Sequence, residues 1–400
     1  MRVPEQWLQR IKTMNVKEKD KLYIANTYAR FDLTLKSGNG SLVLDEEGRE
    51  YIDLGTGIAV NTFGYSDKEW ANAVTDQINT LQHTSNLYYT EPCANLAEIL
   101  CKRTGLKKVF FSNSGAESNE CAIKVARKYA AEKKGKDCYK IITLKNSFHG
   151  RTITTLAATG QDVFHNDFLP LTDGFLYVEA NNSEELIKTV QSENIAAIMF
   201  ECVQGEGGVM PLTEDFVKTI FELAEKYDIL TICDEVQTGN GRTGKLYSYM
   251  NYGVLPDIVS TAKGLGGGLP LGATMLGEKV KDVLTPSSHG STFGGNPVAC
   301  AGAINIINRI DDELLDSVCE KSNYILEKLS NISGVKSISG MGLMLGIETS
   351  TDAGEIIAKC QEKGVLVIKA KNKVRLLPAL NIPFELLKKA INVIVDVIGE

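Results

Sequence analysis

The least ordinary stretch of the chain is Asp257-Ile-Val-Ser-Thr-Ala-Lys263-Gly-Leu-Gly-Gly-Gly268-Leu-Pro270, in which a lysine follows an apolar run and precedes four glycines in five residues. A lysine taken out of water sheds its proton more readily and can then form an imine with a carbonyl. The glycines would let the backbone approach a bulky ligand closely. A solvated lysine ahead of a flexible loop is the alternative. Asp234 follows Ile229-Leu-Thr-Ile-Cys233. A carboxylate at the mouth of a buried strand needs a cationic partner, or its ionised form is costly; otherwise it caps the next turn. Ser114-Gly115-Ala116 opens a helical pattern. Small residues there expose free N–H groups, and the helix dipole favours an anion such as phosphate, although an ordinary serine N-cap reads the same way.

Two other chemistries fail on spacing. The apolar run ending in Asp234-Glu235 has the shape of a Walker B acid, and Gly239-Asn-Gly-Arg-Thr-Gly244-Lys245 matches GxxxxGK. Leu246 stands where a Ser or Thr would hold Mg²⁺, and the glycine motif begins five residues after the acid, without room for strand, loop and helix. A nucleotidase is therefore rejected. His83, His149, His165 and His289 form no zinc pattern, and the nine cysteines contain no CxxC. Buried cysteines in a reducing cytosol are the simpler reading.

These residues need elements to hold them. Lys108–Phe111, Tyr139–Leu144, Ile195–Phe200 and Ile229–Cys233 are apolar runs without polar alternation, as expected of parallel strands buried on both faces. Helical periods lie between them: Cys121, Ala122, Val125, Ala126 and Tyr129, then Phe216, Ile220, Leu223 and Ala224. Alternation of strand and helix predicts an α/β sheet, whose ligands bind at the carboxyl ends of the strands. Four strand ends in succession carry polar clusters: Ser112–Glu117, Asn146–Arg151, Glu201–Gly208 and Asp234–Gln237. Residues 37–54 read as two strands around Glu47-Gly48. From Asn296 helices dominate (Ala301–Ile310, Leu314–Leu329), followed by short strands near Leu343–Ile347 and Val374–Leu377. The expected division is an N-terminal segment, 1–60, packing with a small C-terminal α+β domain, 296–400, around a large α/β domain, 61–295. Lys+Arg of 43 against Asp+Glu of 50 gives a net charge of −7, a poor match to nucleic acid or an anionic membrane. No apolar run is membrane-sized. Met1-Arg-Val-Pro-Glu-Gln-Trp7 has no signal-peptide core, so the cytoplasm is expected.

An anion-binding helix start, a carboxylate, a ring-stacking Phe148 and an imine-forming Lys263 together suit pyridoxal 5'-phosphate, which has a phosphate, a basic ring nitrogen, a flat face and an aldehyde. The segments Asn113-Ser-Gly-Ala-Glu117, Phe148-His-Gly-Arg-Thr152, Val203-Gln-Gly-Glu-Gly-Gly208, Asp234-Glu-Val-Gln-Thr-Gly239, Ala262-Lys-Gly-Leu-Gly-Gly-Gly268 and Ser291-Thr-Phe-Gly-Gly-Asn-Pro297 resemble the class III pyridoxal-phosphate aminotransferases, in the family's order. The likeness runs from about Tyr28 to Pro378. Gly57-Ile-Ala-Val-Asn61, Thr84-Ser-Asn-Leu-Tyr-Tyr89 and Val374-Arg-Leu-Leu-Pro378 are most similar to the branch that acts on acetylornithine.

The resemblance implies fold type I, a homodimer with shared active sites, and a role for each matching residue. Lys263 would hold the cofactor as an imine and shuttle the substrate proton. Asp234 would pair with the ring nitrogen, beside Glu235. Gln237 would bond the ring hydroxyl, and Val236 and Phe148 would flank the ring. Gly115 and Ala116 would bind phosphate, with Thr292 reaching it across the dimer interface. Ser291 would touch substrate, and Arg151 and Arg375 would bind substrate carboxylates. Glu201 would pair with Arg375 when the amine has no carboxylate to offer there. The implied reaction converts N2-acetyl-L-ornithine and 2-oxoglutarate to N-acetyl-L-glutamate 5-semialdehyde and L-glutamate. Ornithine, succinylornithine and 4-aminobutyrate are rival amines, and an aminomutase, a decarboxylase or a non-catalytic binding protein are rival classes. The chain departs from the family pattern at Cys202, where Pro is usual, and at Gly64-Tyr65, where Gly-His is common. Gly57, where ornithine δ-aminotransferases usually carry Tyr, weakens that rival.

Overall fold

The computed structural model describes residues 14–400; Met1–Trp7, read above for a signal peptide, lies outside the described residues. After a helix at Val16–Tyr23 come three short strands: β1 (Leu35–Asn39), β2 (Leu42–Asp45) and β3 (Glu50–Asp53). The turn after β2 is the one expected at Glu47-Gly48, but the segment before it holds an additional strand. Leu35-Lys-Ser-Gly-Asn39 is largely exposed, so it lacks the apolar alternation that would mark a strand.

The central sheet has seven strands: β4 (Lys108–Ser112), β5 (Lys140–Leu144), β6 (Phe175–Val178), β7 (Ile195–Phe200), β10 (Leu230–Asp234), β11 (Ile258–Thr261) and β12 (Gly272–Leu276). The intervening β8 (Val203–Gln204) and β9 (Met210–Pro211) form a separate hairpin. The sheet order is β4-β12-β11-β10-β7-β5-β6. Neighbours from β11 to β6 are parallel, whereas β12 is antiparallel to both β11 and β4.

Helices cover both faces, so successive residues of one strand enter different cores. Ile142, Leu144, Ile198 and Phe200 join one apolar cluster; Ile141, Ala197 and Met199 join another with Cys121, Val125 and Ala126. Cys121, Val125 and Ala126 lie on the helix Gly115–Lys134, capped by Ser114, with Glu117 in its first turn and Lys133 and Lys134 in its last, the polarity that a helix dipole favours.

The C-terminal sheet contains β13 (Val335–Met341), β14 (Met344–Thr349), β16 (Ile368–Ala370) and β17 (Lys373–Leu376), in the order β13-β14-β17-β16. Helices Asp312–Ser330, Ala353–Glu362 and Phe384–Gly399 flank it. The two-residue β15 (Val365–Leu366) pairs in parallel with β3. Ile52 and Leu54 are accordingly buried in the C-terminal core with Val365, Val367 and Ile391.

Candidate active site

Asp234 ends β10 beside Ser260 of β11 and is 3 % exposed. Its Oδ2 accepts the Asn119 amide at 2.7 Å and lies 2.7 Å from His149 Nδ1; its Oδ1 accepts the Val236 N–H at 3.0 Å. Asn119 also donates to His149 O, and its Oδ1 accepts Ser260 Oγ–H at 2.6 Å. The carboxylate is thus fixed from three elements, with Oδ1 the less occupied oxygen. His149 Nε2 is buried without a partner among the described residues. Glu235, next in the chain, points elsewhere: it accepts from Ser248 Oγ, Tyr249 N, Thr238 Oγ1 and Cys233 Sγ, and these bonds at full burial make it a clamp for the following turn.

Lys263 follows β11 with φ of +47°, a left-handed conformation for a non-glycine residue. The surrounding turn enforces it. Asn240 Nδ2 donates to Ala262 O, Thr62 Oγ1 donates to Gly264 O, and Gly266 N returns to Lys263 O. A Cβ on Gly266 would stand 2.1 Å from Leu269 O, so that glycine is required by close approach. Burial lowers the Lys263 ammonium to about 8 against the opposing pull of Glu206; Arg375 lowers it further.

Arg375, on β17, reaches from the C-terminal sheet to these strand ends and is 2 % exposed. Its Nη1 donates to Glu206 Oε1 at 2.6 Å and to Gln237 Oε1 at 3.0 Å. Gln237 Nε2 donates to Glu206 Oε1 at 3.3 Å, closing a triangle. Burial pushes Glu206 upward, but Arg375 outweighs it and holds the carboxyl below its usual range. The expected pairing of Arg375 with Glu201 is therefore corrected: the partner is Glu206. The β8–β9 hairpin explains why. Glu206 lies in its tip, whereas Glu201 lies at its base, where the carboxylate accepts Phe148 N–H at 3.0 Å and Gly205 N–H at 3.2 Å. Burial raises Glu201 to about 7. Two acids five residues apart in one polar loop gave no signal of which would reach the arginine. The sequence does not single out His149 or Asn119 as partners of Asp234: His149 lies within Phe148-His-Gly-Arg-Thr152, and Asn119 is a helix-interior residue with no local mark.

Gly115 and Ala116 supply the first N–H groups of their helix, which have no carbonyl within it to bond. A Cβ on Gly115 would lie 2.5 Å from Val236 Cγ1, so the glycine lets the helix start press against the residue after Glu235. The exposed Arg151 guanidinium sits 5.4 Å from the Phe148 ring centre and 4.1 Å from that of Phe164. Ser291 Oγ accepts the Asn113 amide at 3.1 Å, which ties it to the turn that precedes the helix Gly115–Lys134. Thr292 is exposed and makes no side-chain hydrogen bond among the described residues. It borders a cavity of about 520 Å³ with Asn113, Glu117, His289 and Ser291.

The profile of the class-III aminotransferases matches residues 23–398. This chain is a class-III aminotransferase. The aminotransferase is 47% identical over 387 residues to an acetylornithine aminotransferase of Haemophilus ducreyi, covering 96% of this chain and 98% of that one. It is 46% identical to one of Caldanaerobacter subterraneus, covering 95% and 98%. Among solved structures, the N-acetylornithine aminotransferase of Stenotrophomonas maltophilia matches with a TM-score of 0.82 at 35% identity, over 93% of this chain and 97% of that one. An ornithine aminotransferase of Toxoplasma gondii, with partial occupancy of pyridoxal phosphate at its active site, matches with a TM-score of 0.91 at 30% identity, over 100% and 98%. The aminotransferase's own residues fit that group. The helix start suits a phosphate, Oδ1 of Asp234 suits a protonated ring nitrogen, and the Lys263 amine is easily neutralised.

Proposed function

We propose that the enzyme moves the δ-amino group of N2-acetyl-L-ornithine to 2-oxoglutarate with pyridoxal phosphate as cofactor, giving N-acetyl-L-glutamate 5-semialdehyde and L-glutamate. The Arg375–Glu206 pair carries this reading. One site must accept an ω-amine with no carboxylate beside the reacting carbon, then glutamate, which has one. An unpaired arginine would be costly to desolvate in the first case. Glu206 neutralises Arg375 for the amine and yields it to the glutamate carboxylate. Near-full-length likeness to acetylornithine aminotransferases supports the choice of amine.

When bound, pyridoxal phosphate supplies an aldehyde that carries the amino group and a ring that accepts electron density. Gly115 and Ala116 would hold the phosphate through backbone N–H groups. Asp234, kept in place by Asn119 and His149, would keep the ring nitrogen protonated. Val236 and Phe148 would flank the ring, and Gln237 would bond its hydroxyl. Lys263 Nζ would take the proton from the substrate carbon and return it. Arg151 would grip the distal carboxylate of either substrate, and Ser291 would touch substrate.

Residues 61–295 would form the cofactor-binding domain and 296–400 the small one; the β3–β15 pairing supports placing the N-terminal strands with the latter. A homodimer would complete the site, with Thr292 serving the phosphate of a second copy; the exposure of Leu87, Tyr88, Tyr89 and Phe293 supports an interface there. No described helix is long and apolar enough to cross a membrane. The nine cysteines are free, which suits a cytoplasmic setting.

Single-turnover measurements with acetylornithine, succinylornithine, ornithine and 4-aminobutyrate, followed by 2-oxoglutarate and a glutamate readout, test the proposal. Acetylornithine should have the highest kcat/KM. A higher value for any other amine, or no glutamate formed, would refute it.

A further inference from the structure

Glu201 is left without the partner the sequence suggested, yet it is deeply buried and fully engaged. One of its oxygens accepts the N–H of Phe148 and the other that of Gly205. Phe148 lies on the loop after β5, and Gly205 immediately precedes Glu206 in the hairpin tip. We propose that Glu201 is a positioning residue for the gate: by fixing these two loops to one carboxylate, it sets how firmly Glu206 closes on Arg375. The inference rests on reading Arg375 and Glu206 as the substrate-dependent pair.

The hairpin tip has little slack in which to absorb a shift. A Cβ on Gly205 would stand 2.7 Å from the Gln237 amide, and Gln237 itself bonds both Glu206 and Arg375. A displaced Gly205 N–H therefore moves Glu206 and its amide neighbour together. The base of the hairpin has separate support. Gln204 Nε2 donates to Lys145 O at 2.9 Å, and Cys202 O accepts Leu212 N–H at 2.9 Å. Changing Glu201 should therefore loosen the tip and leave the hairpin folded. Glutamine is the informative substitution because it keeps the length but can accept only through its oxygen. Its NH₂ must face one of the two N–H donors.

Glutarate, which has two carboxylates and no amine, reports the gate without turnover, because it needs Arg375 free of Glu206. Calorimetric titration of the holoenzyme would compare the parent, Glu201→Gln, Glu206→Gln and the double variant. Glu206→Gln should bind glutarate about tenfold tighter, the scale of one charge-assisted bond. Glu201→Gln should shift affinity in the same direction, and the double variant should be no tighter than Glu206→Gln alone, since both act on one gate. The ratio of single-turnover rates with acetylornithine and with glutamate should fall in the same pattern. If Glu206→Gln tightens glutarate but Glu201→Gln leaves it unchanged or weakens it, the positioning role is overturned and the gate stands. If Glu206→Gln changes neither readout, the gate and the role built on it both fall. Glu201→Asp, which keeps the charge but shortens the reach, supplies the same comparison should Glu201→Gln give no soluble holoenzyme.

Discussion

At the scale of single residues, the site depends on charges held where water would normally dilute them. Burial brings Lys263 down to about 8, so its neutral fraction rises with pH up to that point and then saturates. In the apoenzyme, acylation of Lys263 should speed up about tenfold per pH unit below 8 and level off above it. Peptide mapping of the label checks this; a rate still climbing tenfold between pH 9 and 10 would mean an ordinary lysine. Lys263→Ala should abolish transamination. Arg375→Ala should lower kcat/KM for glutamate about a hundredfold, roughly 3 kcal/mol for a lost bidentate grip, and spare acetylornithine. Arg151→Ala should weaken both donors. Equal losses for both donors in Arg375→Ala would contradict the gate. Lys263, Asp234 and Gly115 stand out from their local sequence; Arg375 does not, and only the resemblance of Val374-Arg-Leu-Leu-Pro378 to the family pointed to it. Glu206 was not: it and Glu201 share a loop and a residue type, and only the hairpin's path separates tip from base.

At the scale of elements, a helix start and the turn after β10 press together, and Gly115 is the point of contact. Alanine is the better helix former by about 1 kcal/mol, but here its methyl would overlap Val236 Cγ1 at 2.5 Å. Gly115→Ala should therefore cost about 1–3 kcal/mol through overpacking and raise the dissociation constant for pyridoxal phosphate, with unchanged far-UV circular dichroism. Undiminished cofactor affinity would show that Val236 yields freely. The strands β5, β7 and β10 were legible as continuous apolar runs because both their faces are covered. β12 was not. Gly272-Ala-Thr-Met-Leu276 is kept small at its start because a Cβ on Gly272 would lie 2.4 Å from Ser114 O and Ser118 Oγ. That demand comes from a helix more than 150 positions earlier in the chain, and no local pattern expresses it.

At the scale of the whole molecule, Tyr89 is 107% and Leu87 is 87% exposed, a large apolar surface for one copy to leave in water. Sedimentation at micromolar concentration should find a dimer. Tyr89→Arg should shift it to monomer and lower bound cofactor about tenfold if the neighbouring copy's Thr292 contributes as proposed; an active monomer would refute the shared site. The joining of the N-terminal strands to the C-terminal sheet has a different kind of consequence, one of timing. Thr56 Oγ1 donates to Leu377 O at 2.6 Å across 321 residues of chain, and β3 pairs with β15 from the same distant region. At about 5–20 residues per second of synthesis, the edge of β3 waits roughly 15–60 s on the ribosome before its partner exists. Throughout that interval the nascent chain presents an unpaired strand edge, an invitation to pairing with another chain. Yield of this enzyme should therefore respond to translation speed and to chaperones that shield nascent chains more than to the stability of the finished fold.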